Sequence, residues 1–145
     1  MFYQVQQSQY PEYLTAPMAA ELTEAGFESL KTAESVENVL ENEEGTVLVV
    51  VNSVCGCAAR NARPAAIAAT RDGKLPSKMV TVFAGVDADA VQKARDFFLP
   101  YPPSSPAMAL FKNGQLVHFI ERHHIEGRPA TAIANDLKQA FETYC

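Results

Sequence analysis

The stretch VVVNSVCGCAARNARPAAIAA, residues 49–69, joins an apolar segment to two closely spaced cysteines and an alanine-rich segment. Its first part belongs to the run Thr46–Asn52 (TVLVVVN), whose continuous β-branched and apolar character is typical of a central strand covered on both faces. Its last part predicts a helix over residues 57–70, where small side chains suit close packing against a sheet. Cys55 and Cys57 therefore stand where a buried strand becomes a helix.

Helix and strand patterns alternate on both sides of this junction. In chain order they are a helix capped by Thr15, a helix capped by Thr32, a strand over residues 78–84, a helix opened by Asp87 or Asp89, a hairpin turning at Asn113-Gly114, and a helix starting at Pro129. This order predicts an α/β fold with a mixed sheet and helices on both sides. We expect one domain over residues 1–145, with residues 1–14 as an N-terminal extension.

Composition narrows the class of protein. The chain has 145 residues, 48% hydrophobic and 20% charged, as expected of a globular protein. Its net charge of -5 gives no reason to expect a nucleic-acid partner. No apolar run approaches the roughly 20 residues that span a bilayer, and the N-terminus lacks the features of a secretory signal. We therefore expect a cytoplasmic protein, in which close cysteines are redox-active or metal-binding rather than a persistent structural disulfide.

The strand-to-helix junction is a place where a thiol becomes reactive. The thiolate is the nucleophile, so a working cysteine needs a lowered pKa. The first turn of a helix supplies unpaired backbone N–H groups and the positive end of the helix dipole. Arg60 and Arg63 add local positive potential, although both also fit ordinary solvated helix positions. Pro64 cannot donate a hydrogen bond inside the helix and predicts a kink that presents the cysteines at one end.

The one-residue spacing of the cysteines predicts the character of their disulfide. Residues i and i+2 of an α-helix point roughly 200° apart, so two helical cysteines at this spacing cannot bond to each other. Gly56 is the residue most tolerant of the irregular turn that pairing requires. A ring closed by Cys55 and Cys57 is small and strained, which makes the bond labile. The pair is therefore suited to thiol exchange or isomerisation.

Two other interpretations of the cysteines stay open at this point. A zinc site with Cys55, Cys57, His123 and His124 as ligands is the main alternative. Structural zinc sites favour a two-residue gap between cysteines, however, and adjacent histidines on a strand point to opposite faces of the sheet. We therefore predict no bound metal. The third interpretation is a purely structural domain in which the cysteines are unreactive.

The segment SPAMALFKNGQLVHF, together with the cysteines after a central strand, resembles the thioredoxin fold. The resemblance implies a three-layer α/β/α arrangement with a central mixed sheet, here with an extra N-terminal helix. It also implies that the Ser105–Pro106 bond is cis and that Pro106 lies beside the nucleophile. Ser105 is then the position that contacts substrate, through backbone pairing with an extended segment.

A closer resemblance covers nearly the whole chain. It is carried by APMAAELTEAGF, VVVNSVCGCAARNARPA, VTVFAGVD, YPPSSPAMALFKNG, VHFIERHHIEGRPA and the terminal TYC. These segments are similar to the bacilliredoxin family, thioredoxin-like proteins with a Cys-Gly-Cys motif. The resemblance implies a thiol–disulfide oxidoreductase that reduces mixed disulfides between protein cysteines and bacillithiol, with weak disulfide isomerase activity. It also implies that Cys55 is the attacking cysteine and Cys57 the resolving one.

The same resemblance implies the partners of the protein. These are S-thiolated client proteins and a low-molecular-weight thiol, with bacillithiol as co-substrate and no cofactor, for a monomer or weak homodimer. Val54 stands where thioredoxin has a tryptophan, so general thioredoxin-type reduction is not expected. Cys145 is expected to be an incidental exposed thiol, or else an alternative resolving or intermolecular cysteine. The alternative function is a thioredoxin-like module whose Cys-Gly-Cys holds a metal or an iron–sulfur fragment.

Overall fold

The computed structural model describes residues 8–42 and 44–145 of the chain. Its helices and strands within those residues are, in chain order, α1 (Glu12–Thr23), β1 (Glu28–Ser29), α2 (Ala33–Asn42), β2 (Thr46–Asn52), a π-helical turn (Ala58–Ala62), α3 (Arg63–Ala69), β3 (Lys78–Phe83), α4 (Ala88–Phe97), β4 (Ala107–Lys112), β5 (Gln115–Ile120), a 3-10 turn (Arg122–His124) and α5 (Ala130–Tyr144). None of these helices combines the length and apolar character that a membrane-spanning helix needs.

The five strands form one mixed sheet in the order β1-β3-β2-β4-β5. Strand β3 is parallel to β1 and β2, whereas β4 is antiparallel to both β2 and β5. Because two antiparallel steps separate β2 from β5, these two strands run in the same direction. Their carboxyl ends therefore lie at the same edge of the sheet, and the residues that follow them are brought together.

The central strand β2 is buried along its whole length, as its sequence predicts. Its side chains alternate between two cores, since successive residues of a strand point to opposite faces. Leu48 and Val50 pack in a core with α1, α3 and α5, whereas Val47, Val49 and Val51 pack with α2 and α4. Each fully buried valine or leucine stabilises the fold by about 1.5–3 kcal/mol relative to an exposed one. The predicted three-layer, thioredoxin-like architecture with an additional N-terminal helix is confirmed.

Local sequence signals fix several element ends. Thr32 caps α2 as predicted, because its Oγ1 accepts a hydrogen bond from the Ser35 N–H at 3.1 Å. The hairpin between β4 and β5 turns at Asn113 and Gly114, with φ of 49° and 80°. Positive φ at both positions is what a tight two-residue hairpin requires. The predicted Asn-Gly turn is therefore confirmed.

The start of α1 differs from the prediction. The helix begins at Glu12 and Thr15 lies inside it, buried, so Thr15 is not the cap. Tertiary contacts outweigh the capping preference, because the Gln9 N–H donates to the Gly85 carbonyl at 2.7 Å and fixes the entry of the chain. The predicted extension over residues 1–14 is thus partly helical, and its residues 1–7 lie outside the described part of the chain.

Candidate active site

Cys55 follows β2 closely and opens a helical turn. Its backbone N–H donates to Ser53 Oγ at 3.4 Å, and its carbonyl accepts from the N–H groups of Ala58 and Ala59 at 3.1 and 3.2 Å. The Cys55 side chain is half-buried rather than packed in the apolar core. All three cysteines of the chain are free thiols. The first cysteine of the motif is thus held at a helix start and remains reachable from solvent.

A buried arginine holds the loop that leads to Cys55. Arg63 is 2% exposed, and its Nη1 donates to Asn52 Oδ1 at 3.0 Å and to the Ser53 carbonyl at 2.9 Å. Its Nε lies 3.2 Å from Glu21 Oε1 without hydrogen-bond geometry, so this contact is an ion pair only. Arg63 is therefore not in the solvated helix position that was one of the two expectations for it. The side chain turns inward, where the end of β2 offers oxygens that its guanidinium satisfies.

The helix after the cysteines begins with one wide turn. The N–H of Arg63 donates to the Ala58 carbonyl, a π-helical bond immediately before Pro64, which cannot donate. The structure has this π-helical turn at the place where the sequence predicts a kink at Pro64. Within it, Asn61 Nδ2 donates to the carbonyls of Ile125 and Arg128 at 2.9 and 2.8 Å. These two bonds tie the start of the helix to the segment after β5.

The segment after β5 places Arg122 at the cysteines. Its Nε donates to Glu126 Oε1 at 2.6 Å, and its Nη1 donates to the Ser105 carbonyl at 3.0 Å. The backbone N–H of Arg122 also donates to Ser104 Oγ at 3.3 Å. Arg122 therefore connects the loop before Pro106 to the rim of the cysteine site, and two hydrogen bonds orient its guanidinium.

The environment of Cys55 favours its thiolate. Partial burial raises the pKa of Cys55. Hydrogen bonds from the Cys57 thiol, the Ser53 side chain and the Ala58 backbone N–H, together with the charge of Arg122, lower the pKa by more than burial raises it. The net pKa of Cys55 lies below its ordinary value. Hydrogen bonds to the charged form and a nearby cation are the usual means of ionising a thiol.

Cys57 has the opposite environment. Partial burial raises the pKa of Cys57, and the hydrogen bond to Cys55 and the negative charge of the Cys55 thiolate raise it further. Arg122 and the backbone N–H of Cys57 act in the other direction without reversing the shift. At a pH between the two pKa values, Cys55 is an ionised nucleophile and Cys57 still holds its proton. Cys55 is thus suited to attack first, and Cys57 remains a protonated thiol during that step.

Replacement of Cys57 is expected to move the titration of Cys55. Cys57→Ala removes a hydrogen-bond donor to the thiolate, so the inflection in the rate of Cys55 alkylation by iodoacetamide shifts to higher pH. Cys57→Ser is the matched control, since its hydroxyl keeps a donor and holds the inflection near that of the wild type. Mass spectrometry of the Cys55 peptide measures both profiles. Equal inflections in the Ala and Ser variants would contradict the assigned hydrogen bond.

An open cleft of about 410 Å³ adjoins the two cysteines. Its lining residues are Cys55, Gly56, Cys57, Arg60, Asn61, Arg122, Glu126 and Gly127. At Gly56, an ideal Cβ would lie 2.7 Å from Arg60 Nη2. The guanidinium of Arg60 therefore lies directly over the glycine of the Cys-Gly-Cys motif.

The other predicted site residues lie outside the lining of this cleft. The Ser105–Pro106 bond is cis, Pro106 is buried, and the Ser105 carbonyl already accepts a hydrogen bond from Arg122. Ser105 is thus connected to the cleft by its hydrogen bond with Arg122, which lines the cleft. Cys145 is exposed at the end of α5 and does not line the cleft.

The ligand set considered for zinc is not assembled. His123 and His124 lie in a 3-10 turn rather than on a strand, and their ring centroids are 4.0 Å apart. Across the described residues, one group has at least three side chains with ligand atoms within 4.8 Å of one another, and it consists of Glu121, His123 and His124. Neither cysteine belongs to that group. The argument from opposite faces of a strand does not apply to the two histidines, because β5 ends before them.

Sequence reasoning did not identify Arg122, Asn61 or Glu126 as site residues. The positive potential at Cys55 was expected from Arg60 and Arg63, yet the positive charge that lowers the pKa of the Cys55 thiol belongs to Arg122. A signal was present, because Arg122 comes directly after the second strand of the predicted hairpin. If that strand is parallel to the central strand, its carboxyl end must lie beside the cysteines.

Comparison with protein families places the chain among known redox proteins. A family model described as "Disulphide isomerase" matches residues 10–145. A bacilliredoxin of Cytophaga hutchinsonii is 58% identical over 133 residues, covering 92% of this chain and 98% of the relative. A bacilliredoxin of Bacillus licheniformis is 53% identical over 138 residues, covering 94% and 96%.

Solved structures agree on the fold. Fasciola hepatica thioredoxin superposes with a TM-score of 0.57 at 16% identity, covering 82% of this chain and 100% of that one. Oxidised thioredoxin O2 from Arabidopsis thaliana gives a TM-score of 0.54 at 15% identity, covering 81% and 96%. With these folds and relatives of more than half identity, the chain belongs to the bacilliredoxin family and is a thiol–disulfide oxidoreductase of thioredoxin-like fold.

Proposed function

We propose that the protein removes bacillithiol from S-thiolated client proteins in the cytoplasm, with Cys55 as nucleophile and Cys57 as resolving thiol. The observation that supports this most strongly is the pair of opposed environments. The Cys55 thiolate is stabilised by three hydrogen bonds and a cation, while the pKa of Cys57 is raised. The names of the relatives favour bacillithiol as the small thiol.

The first step is a thiol–disulfide exchange. The Cys55 thiolate attacks the bacillithiol sulfur of the client's mixed disulfide, forming a new S–S bond and breaking the old one. The electron pair of the broken bond leaves with the client sulfur, which is released as a thiolate. The client cysteine is thereby reduced, and bacillithiol is now carried on Cys55. The reaction needs no cofactor, since thiolate and disulfide supply all the electrons.

Two exits then return the bound bacillithiol to solution. In the first, Cys57 loses its proton and attacks the Cys55 sulfur, which releases bacillithiol as a thiolate and leaves a Cys55–Cys57 disulfide. In the second, another bacillithiol thiolate attacks the bound bacillithiol sulfur, giving bacillithiol disulfide and the free Cys55 thiolate. The first exit requires Cys57 and an external dithiol reductant, whereas the second requires neither.

The dimensions of the cleft favour attack on the small-thiol side of the disulfide. A volume of about 410 Å³ with an open mouth suits a low-molecular-weight group, with the client left outside. The arrangement also permits a second activity. The Cys55 thiolate can attack a client disulfide, forming a mixed disulfide with one client cysteine and releasing the other as a thiolate. A different client thiolate can then attack the mixed disulfide, forming a new client disulfide and freeing Cys55. The description of the matching family model favours such weak isomerase activity.

The test uses a client protein whose single cysteine carries bacillithiol. We expect the reduced wild type to strip the client, with a transient mass increase of one bacillithiol on the peptide that contains Cys55. Cys145→Ser is the matched control and is expected to act at the wild-type rate, because Cys145 does not line the cleft. The same client carrying glutathione reports the preference between small thiols. Loss of bacillithiol at the rate of buffer alone would refute the proposal.

A further inference from the structure

The cleft beside Cys55 is lined by two arginines. Arg60 enters it from the π-helical turn and Arg122 from the segment after β5. The lining has one carboxylate, that of Glu126, which pairs with Arg122. When Cys55 forms a disulfide, its thiolate charge disappears. Two arginines then face a single carboxylate, and the lining is left with one unbalanced positive charge.

Arg60 is available to a ligand. It is exposed, and none of the residues in 8–42 and 44–145 forms a hydrogen bond or ion pair with its guanidinium. Its Nη2 lies over Gly56, where a side chain would collide with it. The Arg60 guanidinium therefore lies over the glycine of the motif and lines the cleft. A planar guanidinium is the side chain best shaped to bind a carboxylate.

Arg122 is oriented toward the same space. Its Nε bonds to Glu126 and its Nη1 to the Ser105 carbonyl, which fixes the plane of the guanidinium. Its Nη2 has no hydrogen-bond partner among the described residues. Little side-chain entropy is then lost when a ligand binds, because the guanidinium is already held in place.

We propose that Arg60 and Arg122 form a carboxylate-binding subsite, which holds an acidic group of the small thiol while that thiol is attached to Cys55. The cleft then prefers anionic small thiols over neutral or cationic thiols of similar size. This inference rests on the proposed thiol exchange and adds to it the chemical class of the small partner. It gives the two arginines a shared role in the choice of small thiol, in addition to the effect of Arg122 on the ionisation of Cys55.

The first test compares two alkylating reagents at Cys55 in a Cys57→Ser background. Iodoacetate and iodoacetamide consume the same thiolate but differ in charge, so their rate ratio does not depend on the pKa of Cys55. We expect Arg60→Gln and Arg122→Gln each to lower the iodoacetate-to-iodoacetamide ratio by about threefold or more at low ionic strength. Arg71→Gln removes the same charge from an exposed position beyond the far end of α3 and should leave the ratio unchanged.

The second test uses one client protein modified in turn by 3-mercaptopropionate, 2-mercaptoethanol and cysteamine. Rates of transfer to Cys55 are divided by the rates at which free 2-mercaptoethanol attacks each substrate. We expect the normalised rate to be highest for the anionic group, intermediate for the neutral group and lowest for the cationic group. Arg60→Gln is expected to reduce the differences between these three rates. Transfer of all three groups at equal normalised rates, with an alkylation ratio that the arginine variants leave unchanged, overturns the subsite but not the thiol exchange. A ratio that responds to Arg60 in a protein that reduces no client supports the subsite and overturns the exchange.

Discussion

A Cys55→Ser variant is expected to release bacillithiol from a modified client no faster than buffer does, a loss of at least about a thousandfold. The hydroxyl of serine does not ionise near neutral pH, so the hydrogen bonds from Cys57, Ser53 and Ala58 no longer stabilise a nucleophile. The measurement is single-turnover release of bacillithiol, followed by mass spectrometry of the client.

The matched control for this loss is Cys57→Ser. It keeps the nucleophile and a hydrogen-bond donor beside it, so the first step is expected to proceed near the wild-type rate. Bacillithiol should then accumulate on Cys55 unless free bacillithiol is added. Equal activity of the Cys55→Ser variant and the wild type would assign the first attack to another thiol. Cys145 would be the thiol to examine next, since it is exposed.

An Arg63→Met variant is expected to lose about 2–4 kcal/mol of unfolding free energy. The substitution removes the hydrogen bonds that Arg63 donates to the Ser53 carbonyl and to Asn52 Oδ1. A buried polar group that is left unpaired costs about 1–3 kcal/mol. Since domains of this kind are stable by about 5–15 kcal/mol in total, the loss is large. Urea unfolding followed by circular dichroism measures it.

Two further variants separate the hydrogen bonds of Arg63 from its ion pair. Glu21→Gln should cost no more than about 1 kcal/mol, because the Glu21 side chain is 44% exposed and its pairing is screened by water. Arg63→Lys keeps the charge but not the planar set of donors, so it should resemble Arg63→Met. If Arg63→Met unfolds within about 0.5 kcal/mol of the wild type, the hydrogen bonds to the end of β2 do not stabilise the protein. Lower client reduction by folded Arg63→Met would show that the same bonds position the Cys55 loop.

The fold was largely predictable because its signals are local. The continuous apolar run of β2 predicts a strand buried on both faces, and Asn113-Gly114 predicts the hairpin turn, and both are observed. The cap at Thr32 is likewise a contact between residues three apart. The start of α1 was not predictable in this way. It depends on a hydrogen bond to Gly85, far away in the chain, which no pattern around Thr15 contains.

The site was predictable in its thiols but not in its charges. Cys55, Gly56 and Cys57 are adjacent in sequence, so their motif was visible without coordinates. Of the two predicted cations, Arg60 lines the cleft and Arg63 does not, because a helical position does not say where a long side chain points. The Arg63 side chain points inward and donates hydrogen bonds to oxygens at the end of β2. Arg122, from the segment after β5, lines the cleft instead. Contacts between distant segments decide both outcomes.

The distance along the chain between Cys55 and Arg122 has a consequence for protein synthesis. The cysteines leave the ribosome well before the hairpin and the arginine that follows it. Until β5 is in place, Cys55 lacks that cation and the tie that Asn61 makes to Ile125 and Arg128. A nascent or truncated chain therefore carries a more ordinary thiol, which is ionised to a smaller extent near neutral pH until the sheet is complete.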